Sequence, residues 1–439
     1  MSPSRRRDRP EASDDATPAV PATIGARGAT SVGVASLVAA GSGYVILVIT
    51  ARTLQPAQNA EFLTFWGLLF FVFGVLGGLQ NEATRSVHLA HGLGVPAAGG
   101  PDAESAGTTP RVVAVGLAVG GIVAAVVVAS GAWWGPRVLG AHPWPLLVLV
   151  AVASLAFSGH SATAGVLAGT GRWNTYARLV GAESTVRLLL VGGVGLLGAH
   201  KVGFAAATAT AAATWLLLMA FAPDVRSAAS VRTGVAGQVF AVRGAQAMLA
   251  TAASAAIVVG FPVLFRIATT PADSSGSAPL LLAVQMTRAP LMIPLMAYQG
   301  VAITYFLARR DRGSAPLVRL GSIVLAVGAV GAALAALLGP WLMTVFFGAA
   351  YDIASATLAG LTLGAAFLGV LTLTGAAALA MGEHASYAAG WVAATVVTVT
   401  LMFVNAPVEP RTVVALSAGP AVGVLWHLLT IHRRGSGPR

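Results

Sequence analysis

Twelve long apolar stretches fill the chain from about Ser31 to Leu429, separated by short polar breaks. A helix needs roughly 20 consecutive apolar residues to cross the hydrocarbon core of a bilayer. The pattern predicts spans at about 31–51, 61–80, 112–134, 145–169, 175–198, 202–222, 240–265, 279–307, 319–338, 354–380, 386–405 and 411–431. No intervening loop is long enough to hold a soluble domain. The longest, about 81–111, is rich in Gly, Pro and Ala and reads as flexible. The expected fold class is therefore an all-α integral membrane protein with about 12 transmembrane helices.

The breaks carry an orientation signal. Nineteen of the 26 basic residues fall before span one, in alternate loops, or after span twelve. The other set of loops holds only Arg52, Arg137, Lys201, Arg266 and Arg411. Positive charge marks the cytoplasmic side, so both termini are expected in the cytoplasm. The loop between spans ten and eleven departs from the alternation, with Glu383 and His384 but no arginine.

Composition agrees with a membrane protein. The chain is 56% hydrophobic and 9% charged, with mean hydropathy +0.80, whereas a soluble domain carries about 25% charged residues. The net charge of +11 is not a nucleic-acid signal, because the arginines sit beside membrane spans and are not interleaved with aromatics. With no cysteine, disulfides and thiolate chemistry are excluded. Residues 1–29, rich in Pro, Ala, Asp and Arg, read as a disordered cytoplasmic tail.

A break at 223–238 divides the chain into halves, 30–222 and 239–431, of six spans each, with a short cytoplasmic tail at 432–439. Span four enters span five through Gly171-Arg172-Trp173-Asn174-Thr175-Tyr176-Ala177. Span ten enters span eleven through Gly382-Glu383-His384-Ala385-Ser386-Tyr387-Ala388. Both read G-x-x-x-[ST]-Y-A at the equivalent junction, 211 residues apart. An even repeat with both ends inside predicts two six-helix lobes related by a pseudo-two-fold axis along the membrane normal. Transporters built this way bind substrate between the lobes.

Charges within spans are few, and each costs roughly 2.5–3.5 kcal/mol at the bilayer centre on insertion scales. Arg288 lies about ten residues into span eight. Gln285 precedes it by one turn and Gln299 follows by eleven residues, so the three share one helical face. Pro290 and Pro294 are expected to kink or loosen that helix. Arg288 is either a substrate contact or a guanidinium satisfied by backbone carbonyls. Glu183 and Arg187, four apart on span five, can pair along the helix. They serve either substrate or proton binding, or helix packing alone. Gln80, Asn81, Glu82 and Arg85 end span two, where Glu82 and Arg85 can pair. Arg243 and Gln246 begin span seven, where Arg243 can snorkel to headgroups. His160 stands among Ser154, Ser158 and Ser161 on span four, as helix glue or a proton relay. No phosphate-binding GxxxxGK[ST] loop and no metal-ligand spacing occurs. The short outer loops are thin material for a membrane enzyme, and no cofactor is expected.

The chain resembles the polysaccharide-flippase branch of the multidrug/oligosaccharidyl-lipid/polysaccharide (MOP) transporter superfamily over nearly all of 28–431. The local pieces are Ile49-Thr50-Ala51-Arg52-Thr53-Leu54 before Ala60-Glu61-Phe62, Gly169-Thr170-Gly171-Arg172-Trp173-Asn174-Thr175-Tyr176, and the polar span eight around Arg288. The resemblance implies two six-helix lobes forming a V around a cavity. It also implies alternating access that carries a polyprenyl-diphosphate-linked oligosaccharide across the cytoplasmic membrane, with cationic cavity residues on the diphosphate. Arg288 is the position carried over. Candidate substrate contacts are thus Arg288, Gln285, Gln299, Arg187, Glu183, Arg85 and Arg243. The expected partners are the lipid-linked glycan, membrane lipids and other polysaccharide-assembly proteins. A drug or cation antiporter of the same superfamily shares the architecture but wants a free intramembrane carboxylate. A membrane scaffold or an enzyme of envelope-glycan assembly is the remaining alternative.

Overall fold

A computed structural model describes residues 26–92, 109–198, 200–270, 273, 276–307 and 314–435. Within these, only the backbone is described at 26, 91–92, 289, 293–294, 296–307, 384 and 434–435. The described residues are almost wholly helical. The first half comprises α1 (Ala26–Thr53), α2 (Pro56–Gly92), α3 (Val112–Leu139), α4 (Trp144–Gly169), α5 (Trp173–Leu196), α6 (Lys201–Thr210) and α7 (Thr214–Phe221). A single 3-10 turn, Ala211–Ala213, joins α6 to α7 into one span. After the short α8 (Pro223–Ala228), the second half comprises α9 (Gly237–Val258), α10 (Phe261–Ala268), α11 (Ala278–Leu307), α12 (Ala315–Phe347), α13 (Ser355–Ala380), α14 (His384–Met402) and α15 (Val408–Gly435). Eleven spans among the described residues are long and apolar enough to cross a membrane. The 30-residue α11 is a twelfth long helix. The chain is a multi-pass, all-α membrane protein.

The same packing recurs in both halves. α3 packs on α4 as α12 packs on α13. α2 packs on α4 as α11 packs on α13, and α1 on α5 as α9 on α14. The most enclosed helices of each lobe are α4 and α13, and large parts of both are Gly, Ala, Ser and Thr. Small side chains let membrane helices approach until backbone and Cβ atoms touch. The repeated junction has one geometry in both lobes. Gly171 and Gly382 take φ of 72° and 81°, and the next residue's N–H closes back on the preceding helix. Arg172 N donates to Leu167 O (2.8 Å) and Glu383 N to Ala378 O (2.9 Å). Glycine takes this left-handed turn without a Cβ penalty.

The lobes meet along α2 and α9. A Cβ on Gly78 would fall 2.4 Å from the backbone of Ala247 and Met248, so this seam requires glycine there. α1 and α11 meet far more sparsely. The break at 223–238 is pinned to the segment preceding α3: Val112 N donates to Val231 O (3.0 Å) and Thr233 N to Pro110 O (2.9 Å).

Several helices depart from the spans expected. α2 runs to Gly92 rather than stopping near residue 80, because α4 supports its extension: Gly165 and Gly169 pack on Ala83 and Thr84. Residues 93–108 of the expected flexible loop lie outside the described residues, as do 1–25 of the N-terminal tail and 436–439 of the C-terminal one. α11 continues through Pro290 and Pro294. Span seven, expected to run unbroken over 240–265, instead breaks at Val259–Gly260 and restarts as α10 with Pro262 in its first turn. Proline has no N–H to continue the ladder, so the last carbonyls of α9 need other donors.

Candidate functional site

Arg288 supplies one of those donors. Its Nη1 donates to Ile257 O (2.9 Å) and Val258 O (2.7 Å), the end of α9. A cation at a helix C-terminus also meets the negative end of the helix dipole. The guanidinium stands over the Phe261 ring at 6.0 Å, and Tyr44 of α1 lies within electrostatic reach. Arg288 is buried, 8% exposed, among α9, α10 and α11 of the second half, with Tyr44 its neighbour from the first. Backbone carbonyls do satisfy this arginine, and they come from the break in span seven rather than from its own prolines. The crevice beside it, lined by Ile257, Thr287, Leu361, Leu368 and Pro420, is too narrow for water. Gln285 is half-buried one turn away. The side chain of Gln299 lies outside the described residues.

Glu183 and Arg187 form an ion pair in the core of the first lobe, each 5% exposed. The Arg187 guanidinium lies over Phe70 of α2 at 4.8 Å. Ser184 Oγ reaches Glu183 Oε2 at 3.5 Å. His160 of α4 lies within electrostatic reach of Arg187. Its ring stacks on Phe157 (5.0 Å), which stacks on Phe73 (3.8 Å). Among the described residues, His160 Nδ1 and Arg187 Nε have no hydrogen-bond partner.

Arg85 and Arg243 lie at the arginine-rich end of the bundle. Arg85 clasps the buried Glu82 through Nε (2.7 Å) and Nη2 (2.6 Å). Gln80 Nε2 donates to Tyr176 Oη (3.3 Å). Arg243 is exposed, beside Gly244, which packs on Leu79 across the α2–α9 seam. Six of the seven candidates therefore fall in three places: Arg288 and Gln285 in the second lobe, Glu183 and Arg187 within the first lobe, and Arg85 and Arg243 at the seam's end. Gln299 is not placed.

The opposite end holds cross-lobe bonds that sequence reasoning missed. Arg52, at the end of α1, donates from Nε to Phe346 O (2.8 Å) and from Nη2 to Val345 O. Asn59 Nδ2 donates to Tyr351 Oη (2.9 Å), with both side chains almost fully buried. Arg137 Nη2 donates to Ile267 O (2.9 Å). Burial raises the Tyr351 phenol above its ordinary value, while the Asn59 hydrogen bond acts in the opposite direction. Arg52 stood in a noted motif, which could have flagged it. Tyr351 had no signal.

No family model matches the chain. It is 37% identical over 402 residues to uncharacterized protein Rv3630 of Mycobacterium tuberculosis (strain ATCC 25618 / H37Rv), covering 92% of this chain and 91% of the relative. It is 35% identical over 425 residues to uncharacterized protein Rv1510 of the same strain, covering 97% and 96%. Among solved structures, the inward-facing conformation of a multidrug resistance MATE family transporter of the MOP superfamily has a TM-score of 0.70 at 17% identity, covering 94% of this chain and 99% of that one. The outward-facing conformation of such a transporter gives 0.62 at 14% identity, covering 94% and 97%. A MOP-superfamily transporter from Pyrococcus furiosus, described by the reverse polarity of its binding pocket, gives 0.60 at 14% identity, covering 93% and 96%. At these identities the likeness shows a shared fold, two six-helix lobes included.

Proposed function

Because the chain belongs to the family of the mycobacterial proteins Rv3630 and Rv1510 and carries the fold of MOP-superfamily transporters, we propose that it moves an anionic, polyprenyl-diphosphate-linked oligosaccharide across the cytoplasmic membrane by alternating access. One observation carries the choice of cargo. Four Asp, Glu, Lys or Arg side chains are buried among the described residues: Glu82, Glu183, Arg187 and Arg288. The two acids are held by Arg85 and Arg187, and only Arg288 has no carboxylate partner. The uncompensated buried charge is thus a cation, in the second lobe and within electrostatic reach of Tyr44 of the first. A diphosphate cannot cross hydrocarbon unaided, and a guanidinium stays charged when buried and binds phosphate oxygens through a planar fork. Exchanging the carbonyls of Ile257 and Val258 for phosphate oxygens would couple cargo binding to the broken span.

The alternating-access reading rests on the polar contacts that join the lobes at one end. The end carrying Arg52 is tied by cross-lobe hydrogen bonds from three side chains, Arg52, Asn59 and Arg137. The higher TM-score to the inward-facing relative, 0.70 against 0.62, agrees with closure at that end. Antiport of drugs or cations is the second reading, favoured by the multidrug transporters among the structural relatives. It wants a free carboxylate, and Glu183 is occupied.

The test is depletion of the protein in its host, followed by mass spectrometry of extracted polyprenyl-linked glycans. Accumulation of intact lipid-linked repeat units with loss of a surface polymer is the expected outcome. An unchanged lipid-linked pool, with new drug sensitivity, overturns the reading in favour of antiport. Complementation with Arg288→Ala is expected to leave protein in the membrane at wild-type abundance and reduce glycan export by at least about tenfold, the equivalent of one lost charge-assisted hydrogen bond.

A further inference from the structure

A large space on the described surface lies in the first lobe, away from Arg288. It is a groove of about 1030 Å³ floored by α5 and walled by α1, with Leu218 of α7 at its edge. It lies on the opposite face of α5 from Glu183 and Arg187. A second space of about 520 Å³ shares Asn174 and Arg178 with it and opens at the arginine-rich end. Together they make one channel with two chemistries. The lower walls are apolar, including Val34, Ala35, Val38, Ala182 and Leu218. The mouth holds Arg27, Arg172, Arg178 and Asn174, with one carboxylate, Asp224.

The mouth is cationic and only partly engaged. Arg172 Nη1 is bound by Ser227 Oγ (2.6 Å) and Asp224 O (3.2 Å), and the Asp224 carboxylate accepts from Thr175 Oγ1 (3.2 Å). Ser31 Oγ donates to Asn174 Oδ1 (3.0 Å), which ties α1 to α5 across the mouth. The guanidinia of Arg27 and Arg178 have no carboxylate partner among the described residues, and both are exposed. The floor is shallow by composition: a Cβ on Gly181 would meet only Ala35, at 3.8 Å.

We propose that this groove binds one anionic phospholipid of the adjacent leaflet, its phosphate between Arg27 and Arg178 and an acyl chain along the α1–α5 wall. Length selects the occupant. From Arg27 to Val38, α1 rises about 16 Å at 1.5 Å per residue, about half the 30 Å hydrocarbon thickness. That matches the chain of a single-leaflet phospholipid and is short for a polyprenyl tail. Charge selects the headgroup: the mouth lies at the end where basic residues concentrate, and basic pockets between membrane helices on that side suit anionic headgroups. The site does not depend on which cargo is transported.

The test uses the full chain reconstituted in vesicles of equimolar phosphatidylcholine and phosphatidylglycerol, with retained lipid counted by native mass spectrometry. Wild type is expected to retain phosphatidylglycerol in preference to phosphatidylcholine. The double variant Arg27→Gln/Arg178→Gln is expected to lose that retention by roughly 30-fold, from two interfacial cations. Gly181→Leu, which fills the floor, is expected to lose retention with both arginines in place. Arg319→Gln, an exposed arginine of the other lobe at the same end, is expected to leave it unchanged. Equal retention by wild type and the double arginine variant overturns the proposal. So does preferential retention of undecaprenyl phosphate when it is offered beside phosphatidylglycerol.

Discussion

The two lobes share a packing scheme and differ in how each neutralises its buried polar groups. In the first lobe, Arg187 is answered by Glu183 on its own helix, one turn away. In the second, Arg288 is answered by carbonyls of another helix that had to be broken to supply them. The histidines differ in the same sense. His427 of α15 is engaged on both ring nitrogens, Nδ1 with Thr374 Oγ1 (3.0 Å) and Nε2 with Tyr387 O (3.3 Å). His160 leaves Nδ1 without a partner among the described residues. A duplicated scaffold preserves its helix contacts, because those are set by small residues along whole faces. Buried polar groups are set residue by residue and diverge freely.

Breaking the intrahelical pair gives the largest expected effect. Arg187→Leu leaves the Glu183 carboxylate buried with only Ser184 at 3.5 Å, a change expected to cost about 3–5 kcal/mol. Glu183→Leu/Arg187→Leu removes both charges and is expected to recover most of that loss. Thermal unfolding of the purified variants checks this; a double variant no more stable than the single would show that the pair does more than neutralise itself. Exchanging the histidines sharpens the comparison at smaller scale. His427→Phe strips Thr374 of a buried partner and is expected to cost about 1–3 kcal/mol. His160→Phe keeps the stack on Phe157 and removes an unsatisfied nitrogen, so it is expected to be nearly neutral. Equal losses in the same unfolding assay would mean that His160 has a polar role in the lobe.

The spans could be read from sequence because hydropathy over some 20 residues is a property of the local chain, and the junction repeat could be read because one glycine turn imposes one local pattern. Span seven defeated that reading: Gly260-Phe261-Pro262 marks a possible break, but hydropathy averages across it. The orphaned carbonyls of Ile257 and Val258 explain part of why Arg288 is where it is, and they are 31 and 30 residues away in sequence. The Glu183–Arg187 and Glu82–Arg85 pairs were visible, being one helical turn apart. The cross-lobe bonds were not. Asn59 and Tyr351 are 292 residues apart, and neither is unusual in its own segment.

Those cross-lobe bonds carry the smallest expected energy and the one that bears most directly on movement between lobes. Tyr351→Phe removes a single buried hydrogen bond, worth about 1 kcal/mol net. One such increment changes a two-state ratio by about fivefold, enough to move a balanced conformational equilibrium. The absence of cysteine makes the measurement clean. Spin labels at Gln55→Cys and Asp352→Cys, exposed positions on opposite lobes near the contact, report separation of that end. Tyr351→Phe is expected to raise the population of the longer distance, and Arg52→Gln to raise it further by freeing the carbonyls of Val345 and Phe346. Removing Asn59 and Tyr351 polarity together, as Asn59→Leu/Tyr351→Phe, is expected to fall back toward wild type, because no buried amide is then left unpaired. A distance distribution unmoved by any of the three would mean that these bonds are not what holds that end closed.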